Sequence, residues 1–109
     1  MSLTEEHCQA CGPGTPALSG VQAAALLAQV PAWRLEDGGQ SLVRDFSFDS
    51  YWAGLGFVNA VAWIAQQEKH HPDLSLGYKK ARVLFSTHAA KGLTQNDFIC
   101  AAKVDRLLA

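Results

Sequence analysis

The sequence lacks a concentration of charge of one sign and has no long hydrophobic run. Nine Lys and Arg residues oppose ten Asp and Glu residues, and no basic block occurs, so we expect no nucleic-acid partner and no anionic membrane surface. The longest apolar run, near residues 21–30, is interrupted by Gln22 and Gln29 and is far too short to span a bilayer. The first residues carry acids and no apolar stretch, which argues against a secretory signal.

Cysteine is also scarce. Cys8, Cys11 and Cys100 make an odd number, which does not fit a full disulfide framework, so free thiols and a cytoplasmic location are predicted. The sequence has no glycine-rich phosphate loop, no Gly-x-Ser-x-Gly motif and no paired-carboxylate motif. These absences argue against most nucleotide-dependent and hydrolase classes.

What is present is an ordinary core for one domain, since 49% of the 109 residues are hydrophobic. Residues 1–18 mix glycine, proline and polar residues and are predicted to form a flexible N-terminal extension, followed by a single domain over residues 19–109. Ser19 and Gln22 have capping-box spacing and predict a helix that ends before Pro31. Alternation on either side of a turn at residues 37–39 predicts a β-hairpin.

A longer helix is predicted from about Ser50 to just before Pro72. Its inward stripe is expected to be Tyr51, Leu55, Val58, Ala62 and Ala65, widened by Phe57, Val61 and Ile64. Gly54 and Gly56 interrupt this helix and suggest close packing or an interface.

Two more strands are predicted between residues 74 and 88, and the side chains of the second strand are expected to point alternately to the two faces of the sheet. A last helix is opened by Thr94 and Asp97, and its inward residues are expected to be Phe98, Ala101, Val104 and Leu108. The order α-β-β-α-β-β-α predicts an α+β fold, a four-stranded antiparallel sheet with three helices packed on one face. The uncovered face and edges of such a sheet favour self-association.

Three of the four histidines lie where predicted elements end. His70 falls at the C-terminus of the long helix, His71 precedes Pro72, and His88 follows a strand. Imidazoles titrate near pH ~6.5, so such a group could protonate a leaving hydroxyl and deprotonate an adjacent nitrogen. Two other interpretations stay open at this point: solvated surface histidines, and a three-histidine zinc site.

A second cluster, His7, Cys8 and Cys11, lies in the N-terminal extension. Metal or redox use is one interpretation, and a flexible tail with incidental thiols is the favoured one. Cys100 lies inside the last helix and is predicted to be a small core residue.

Several motifs together resemble the pterin-4a-carbinolamine dehydratases. They are the segment His70-His71-Pro72-Asp73, then Tyr78, then Ser86-Thr87-His88, then residues 91–98 with the sequence Lys-Gly-Leu-Thr-Gln-Asn-Asp-Phe. The resemblance runs from about residue 18 to the end, and the joint spacing of the His-His-Pro and Thr-His motifs makes it specific. The His-Cys-x-x-Cys start is similar to bacterial members that accompany phenylalanine hydroxylase.

The resemblance implies dehydration of 4a-hydroxytetrahydrobiopterin to quinonoid dihydrobiopterin, with no metal and no organic cofactor. It implies catalytic roles for His70, His71 and His88. It also implies contacts to the pterin substrate from Pro72, Ser86, Thr87 and Ala89. A homodimer or homotetramer is implied, with phenylalanine hydroxylase as a possible partner.

The sequence departs from the family pattern just before the first motif histidine. Many relatives carry an acid four residues earlier and Asp, Asn or Gly one residue earlier, whereas this chain has Gln66 and Lys69. A nearby lysine charge disfavours an imidazolium. Two alternative functions are therefore kept: a non-catalytic dimerisation or protein-binding module, and activity on another pterin such as a molybdopterin-related compound.

Overall fold

The structure, a computed structural model, describes residues 2–109. The helices are α1 (Gly20–Leu27), α2 (Tyr51–Glu68) and α3 (Gln95–Arg106), and the strands are β1 (Arg34–Glu36), β2 (Ser41–Ser47), β3 (Asp73–Leu76) and β4 (Lys80–Phe85). All strand pairs are antiparallel and the order across the sheet is β1-β2-β4-β3. The predicted α+β class, with four antiparallel strands and three helices, is confirmed.

The helix starts are set by side-chain caps. The Oγ of Ser19 accepts a hydrogen bond from Gln22 N at 3.1 Å, and Ser19 N donates to Gln22 Oε1 at 2.8 Å. Ser50 Oγ accepts from Ala53 N at 3.1 Å and opens α2. These bonds satisfy backbone donors that have no partner inside a helix.

Helix α2 packs on the sheet through a narrower face than predicted. Its buried residues are Gly54, Phe57, Val61 and Ala65. Tyr51, with 46% of its surface exposed, and Ala62 face away, so the predicted stripe is wrong at these positions. The helix is apolar on nearly every side, so its pattern does not select one face. Among residues 2–109, no helix combines the length and hydrophobicity needed to cross a membrane.

The two faces of the sheet differ. Leu42, Phe46, Val83 and Phe85 point to the helices and join Phe98 in the core. The other face carries an ion-pair network in which Asp45 accepts from Arg34 Nη2 and Arg82 Nε, both at 2.8 Å. Leu108, predicted inward, is 51% exposed because α3 ends before it.

The N-terminal segment, residues 2–18, lies against α2 and α3. Leu3 is buried, and Leu18 N donates to Leu93 O at 2.8 Å. Further hydrogen bonds join this segment to Glu68 and Asn96. The glycine- and proline-rich sequence of this segment does not predict these contacts, because isolated apolar and polar residues that anchor a segment leave no periodic pattern. Its flexibility and a domain boundary at residue 18 stay predictions.

Candidate active site

One open cavity of about 470 Å³ brings the three predicted histidines together. Of the predicted site residues, its walls include His70, His71, Ser86, Thr87, His88 and Ala89. Pro72 is not part of its walls. The end of α2 and the turn after β4 therefore meet at one hollow, as the histidine positions in the sequence suggested.

His70 is fixed by the way α2 ends. Lys69 adopts a left-handed conformation with φ 54°, and His70 N donates to Ala65 O at 3.1 Å. This turn lays the His70 ring over Phe85, with ring centroids 6.0 Å apart and an interplanar angle of 10°. Only 12% of the His70 side chain is exposed. The imidazole therefore has one orientation set by packing.

Asp97 holds the other edge of this ring. The Nε2 of His70 lies 2.6 Å from Oδ1 of Asp97, whose side chain is fully buried. Oδ2 of Asp97 accepts from Thr87 Oγ1 at 2.8 Å and from Thr94 N at 2.9 Å. An ionised carboxylate can only accept hydrogen bonds. The contact with Asp97 therefore assigns a proton to Nε2 of His70. The remaining ring nitrogen, Nδ1, is the one left to exchange a proton with a substrate.

His71 and His88 are held more loosely. His71 is exposed, and its Nε2 lies 3.5 Å from Gln66 Oε1, at the outer limit of hydrogen bonding. His88 is exposed and begins a 3-10 turn over His88–Ala90. Thr87 N donates to Gly92 O at 3.0 Å and closes the loop that carries this turn. Both rings are exposed to solvent at the wall of the cavity.

The sequence predicted no site role for several residues of the cavity and its supports, Asp97 and Asn96 among them. Asp97 was interpreted as a helix cap and as part of the motif at residues 91–98, but its pairing with His70 was not predicted. Asn96, which lines the cavity, received no role. The spacing of Thr94 and Asp97 predicts a helix start. Placing that helix start opposite the two histidine motifs is the inference that would have pointed to Asn96 and Asp97.

Glu68, the last residue of α2, forms its side-chain bonds with the N-terminal segment and with α3. Its side chain, 6% exposed, accepts from Cys8 N at 2.8 Å and lies 2.9 Å from His7 Nδ1 and 3.3 Å from Lys103 Nζ. Burial by itself raises the pKa of Glu68, but the bonds from Cys8, His7 and Lys103 outweigh it and lower the pKa to about 2. Glu68 is therefore an anionic anchor for the N-terminal segment.

The thiols form a separate feature beside the cavity. Cys8 Sγ lies 3.5 Å from Cys100 Sγ, and Cys100 is fully buried, as predicted. The hydrogen bond to Cys8 and burial raise the pKa of the Cys100 thiol well above its usual range. Over residues 2–109, no group of three or more His, Cys, Asp or Glu side chains is arranged to hold a metal ion. The three-histidine zinc interpretation and the metal interpretation of His7, Cys8 and Cys11 therefore gain no support from these residues.

Comparison with known proteins identifies the family. The profile for "Pterin 4 alpha carbinolamine dehydratase" matches residues 16–107. A protein of Stenotrophomonas maltophilia (strain R551-3) is 56% identical over 90 residues, covering 83% of this chain and 78% of that protein. One of Nitrosomonas eutropha is 50% identical over 107 residues, covering 97% and 93%. Both names mark them as provisional pterin-4-alpha-carbinolamine dehydratases.

Two solved structures share the fold. A Brucella melitensis protein named transcriptional coactivator/pterin dehydratase matches with a TM-score of 0.81 and 26% identity, over 85% of this chain and 99% of that one. A pterin dehydratase-like protein, described as a RuBisCO assembly factor in the alpha-carboxysome, matches with a TM-score of 0.61 and 25% identity, over 70% and 88%. With the profile match spanning most of its length, this chain belongs to the pterin 4 alpha carbinolamine dehydratase family.

Proposed function

We propose that this protein dehydrates 4a-hydroxytetrahydrobiopterin to quinonoid dihydrobiopterin and so recycles the pterin cofactor of aromatic amino-acid hydroxylases. The observation that carries the proposal is the shared cavity: His70 from the end of α2 and His88 from the turn after β4 line the same hollow, with His71 beside them. Family membership supports a pterin as the ligand.

The reaction needs two proton transfers at neighbouring atoms. The N5–H bond breaks, the C4a–O bond breaks, a C4a=N5 double bond forms, and the hydroxyl leaves as water. Nδ1 of His70 takes the N5 proton, and the Asp97 carboxylate at Nε2 stabilises the imidazolium that forms. His71 or His88, both exposed and able to protonate from solvent, gives a proton to the departing hydroxyl.

The proposal extends to partners and location. Trp52 and Trp63 on α2 are 79% and 66% exposed, which supports a homodimer or homotetramer that covers them. An aromatic amino-acid hydroxylase, phenylalanine hydroxylase in particular, is the proposed source of the substrate. Three unpaired cysteines favour a reducing compartment, and we propose the cytoplasm.

The test follows the decay of a 4a-hydroxytetrahydropterin generated in the cuvette, with and without protein. We expect the protein to accelerate decay far beyond an equal concentration of free imidazole, because the bound geometry holds acid and base beside the reacting atoms. Decay no faster than with free imidazole would refute the proposal.

A protein-binding function is the second candidate. The two structural neighbours are named for a coactivator and an assembly factor, and the exposed Trp52 and Trp63 offer an apolar surface. A stable complex with a hydroxylase or regulator, together with absent turnover, would favour this function. Activity on a molybdopterin-related compound would show as competition with the hydroxylated pterin.

A further inference from the structure

We propose that residues 8–11, here called the N-terminal wall, determine which substituent at C6 of the pterin the cavity accepts. This inference rests on the proposed function, because it takes the ligand to be a pterin. It assigns a specificity role to a segment that precedes residue 16, where the match to the family profile begins.

The N-terminal wall lines the same cavity as the histidines. Cys8, Gln9, Ala10 and Cys11 all contribute to it, beside His70 and His88. C6 of a pterin is bonded to N5, so a ring with N5 at the imidazoles projects its C6 substituent from the reacting edge. The proposal places this substituent against residues 8–11, which form one wall of the cavity.

Asn96 fixes this wall through a reciprocal pair of hydrogen bonds. Gln9 N donates to Asn96 Oδ1 at 2.9 Å, and Asn96 Nδ2 donates to Gln9 O at 2.7 Å. Glu68 Oε1 accepts from Cys8 N at 2.8 Å on the other side. Asn96 precedes Asp97, the partner of His70, and Glu68 lies two residues before His70. The wall and the proposed base are therefore positioned by the same two helix ends.

The burial of these anchors shows that the wall is built into the fold. Asn96 is 6% exposed, and so is the Glu68 side chain. Burying an amide and a carboxylate costs free energy unless each is hydrogen-bonded, and the wall supplies backbone partners to both. Apart from Gln9, the wall carries small side chains, and Gln9 and Ala10 are exposed. Such a surface can accept a short hydroxylated substituent and offers it an amide to hydrogen-bond.

The first test measures dissociation constants for 7,8-dihydrobiopterin, with a dihydroxypropyl group at C6, and for 6-methyl-7,8-dihydropterin. Ala10→Phe places a large ring at an exposed position of the wall. We expect affinity for dihydrobiopterin to fall about tenfold more than affinity for the methyl compound, because added bulk discriminates by substituent size. Ala25→Phe, at an exposed position of α1, is the matched control and should leave both constants unchanged.

The second variant, Asn96→Ala, releases the wall and should bring the ratio of the two dissociation constants closer to one. Thermal unfolding is recorded alongside, and Ala10→Phe carries the test alone if Asn96→Ala does not fold. If the wild type binds both pterins and Ala10→Phe leaves the ratio of the two dissociation constants unchanged, the inference is overturned while the proposed function stays intact. Wild-type protein that binds neither pterin would overturn both.

Discussion

His70 Nε2 lies 2.6 Å from Oδ1 of a fully buried Asp97, so the imidazole at the end of α2 is oriented by a carboxylate from the first turn of α3. Thr87, from the loop after β4, donates to the same carboxylate at 2.8 Å. Three segments that are distant in sequence are thus joined at one carboxylate. This arrangement underlies the first prediction.

Asp97→Asn should lower kcat/KM about 100-fold, because the amide no longer stabilises a protonated His70. Steady-state kinetics measures the change. Asp105→Asn is the matched control: Asp105 lies near the other end of α3 and pairs with Arg44 Nη1 at 2.6 Å. That variant should lose stability and keep its kcat/KM. An equal loss of activity in both variants would mean that Asp97 acts only through folding.

The contribution of Glu68 to stability should decrease in acid. Glu68 has a pKa of about 2 in the folded protein against an ordinary value of 4.5, so its contribution is complete above about pH 4.5 and is lost as pH falls toward 2. The contribution is on the order of 3 kcal/mol in the free energy of unfolding. Urea unfolding of wild type and Glu68→Gln, between neutral pH and about pH 3, measures it. The difference between the two proteins should shrink with acidification, and a constant difference would contradict the prediction.

The two glycines of α2 should respond differently to alanine. A Cβ at Gly54 would lie 3.1 Å from Leu76 Cδ1 and 3.4 Å from Phe48 Cδ2, whereas a Cβ at Gly56 meets no atom within 4 Å. Gly56→Ala should raise the free energy of unfolding by about 1 kcal/mol, the gain in helix propensity. Gly54→Ala should gain less or lose stability, because its neighbours must move. Equal gains in urea unfolding would show that Gly54 is not closely packed.

Cys100 should resist alkylation in the native protein. It is fully buried, and its raised pKa keeps the thiol protonated at neutral pH. Mass spectrometry after iodoacetamide treatment should find the half-buried Cys8 and Cys11 modified before Cys100. Cys100 should react only after denaturation. Rapid native labelling of Cys100 would mean that the contact with Cys8 opens readily.

Much of the architecture follows from local sequence signals, and the failures have physical causes. Capping residues such as Ser19, Ser50 and Thr94 mark the helix starts, and strict alternation gives the sides of β4. The core face predicted for α2 differs from the observed one because a helix that is apolar on nearly every side has no single periodic stripe. Leu108 was placed inward by continuing the period of α3 past its last turn.

The sequence singled out the three histidines that share a cavity, but not the residues that support them, and the catalytic roles of the histidines stay predictions. His70, His71 and His88 all line one cavity. The partnership of His70 with Asp97 and the bonds of Gln9 to Asn96 join residues far apart in sequence, and no local periodicity reports such pairs. The bond between Glu68 and Cys8 was not predicted for the same reason, because these residues are far apart in sequence.

The most direct test of the account compares single-turnover decay of 4a-hydroxytetrahydropterin with wild type, His70→Ala, His71→Ala and His88→Ala. If imidazoles from two elements act on one bound ring, His70→Ala should lose acceleration by about 100-fold or more, and at least one of His71→Ala and His88→Ala should lose acceleration too. Native-like circular dichroism and unfolding midpoints establish that the variants are folded. Full acceleration in all three folded variants would contradict the account, since the cavity would then work without its histidines.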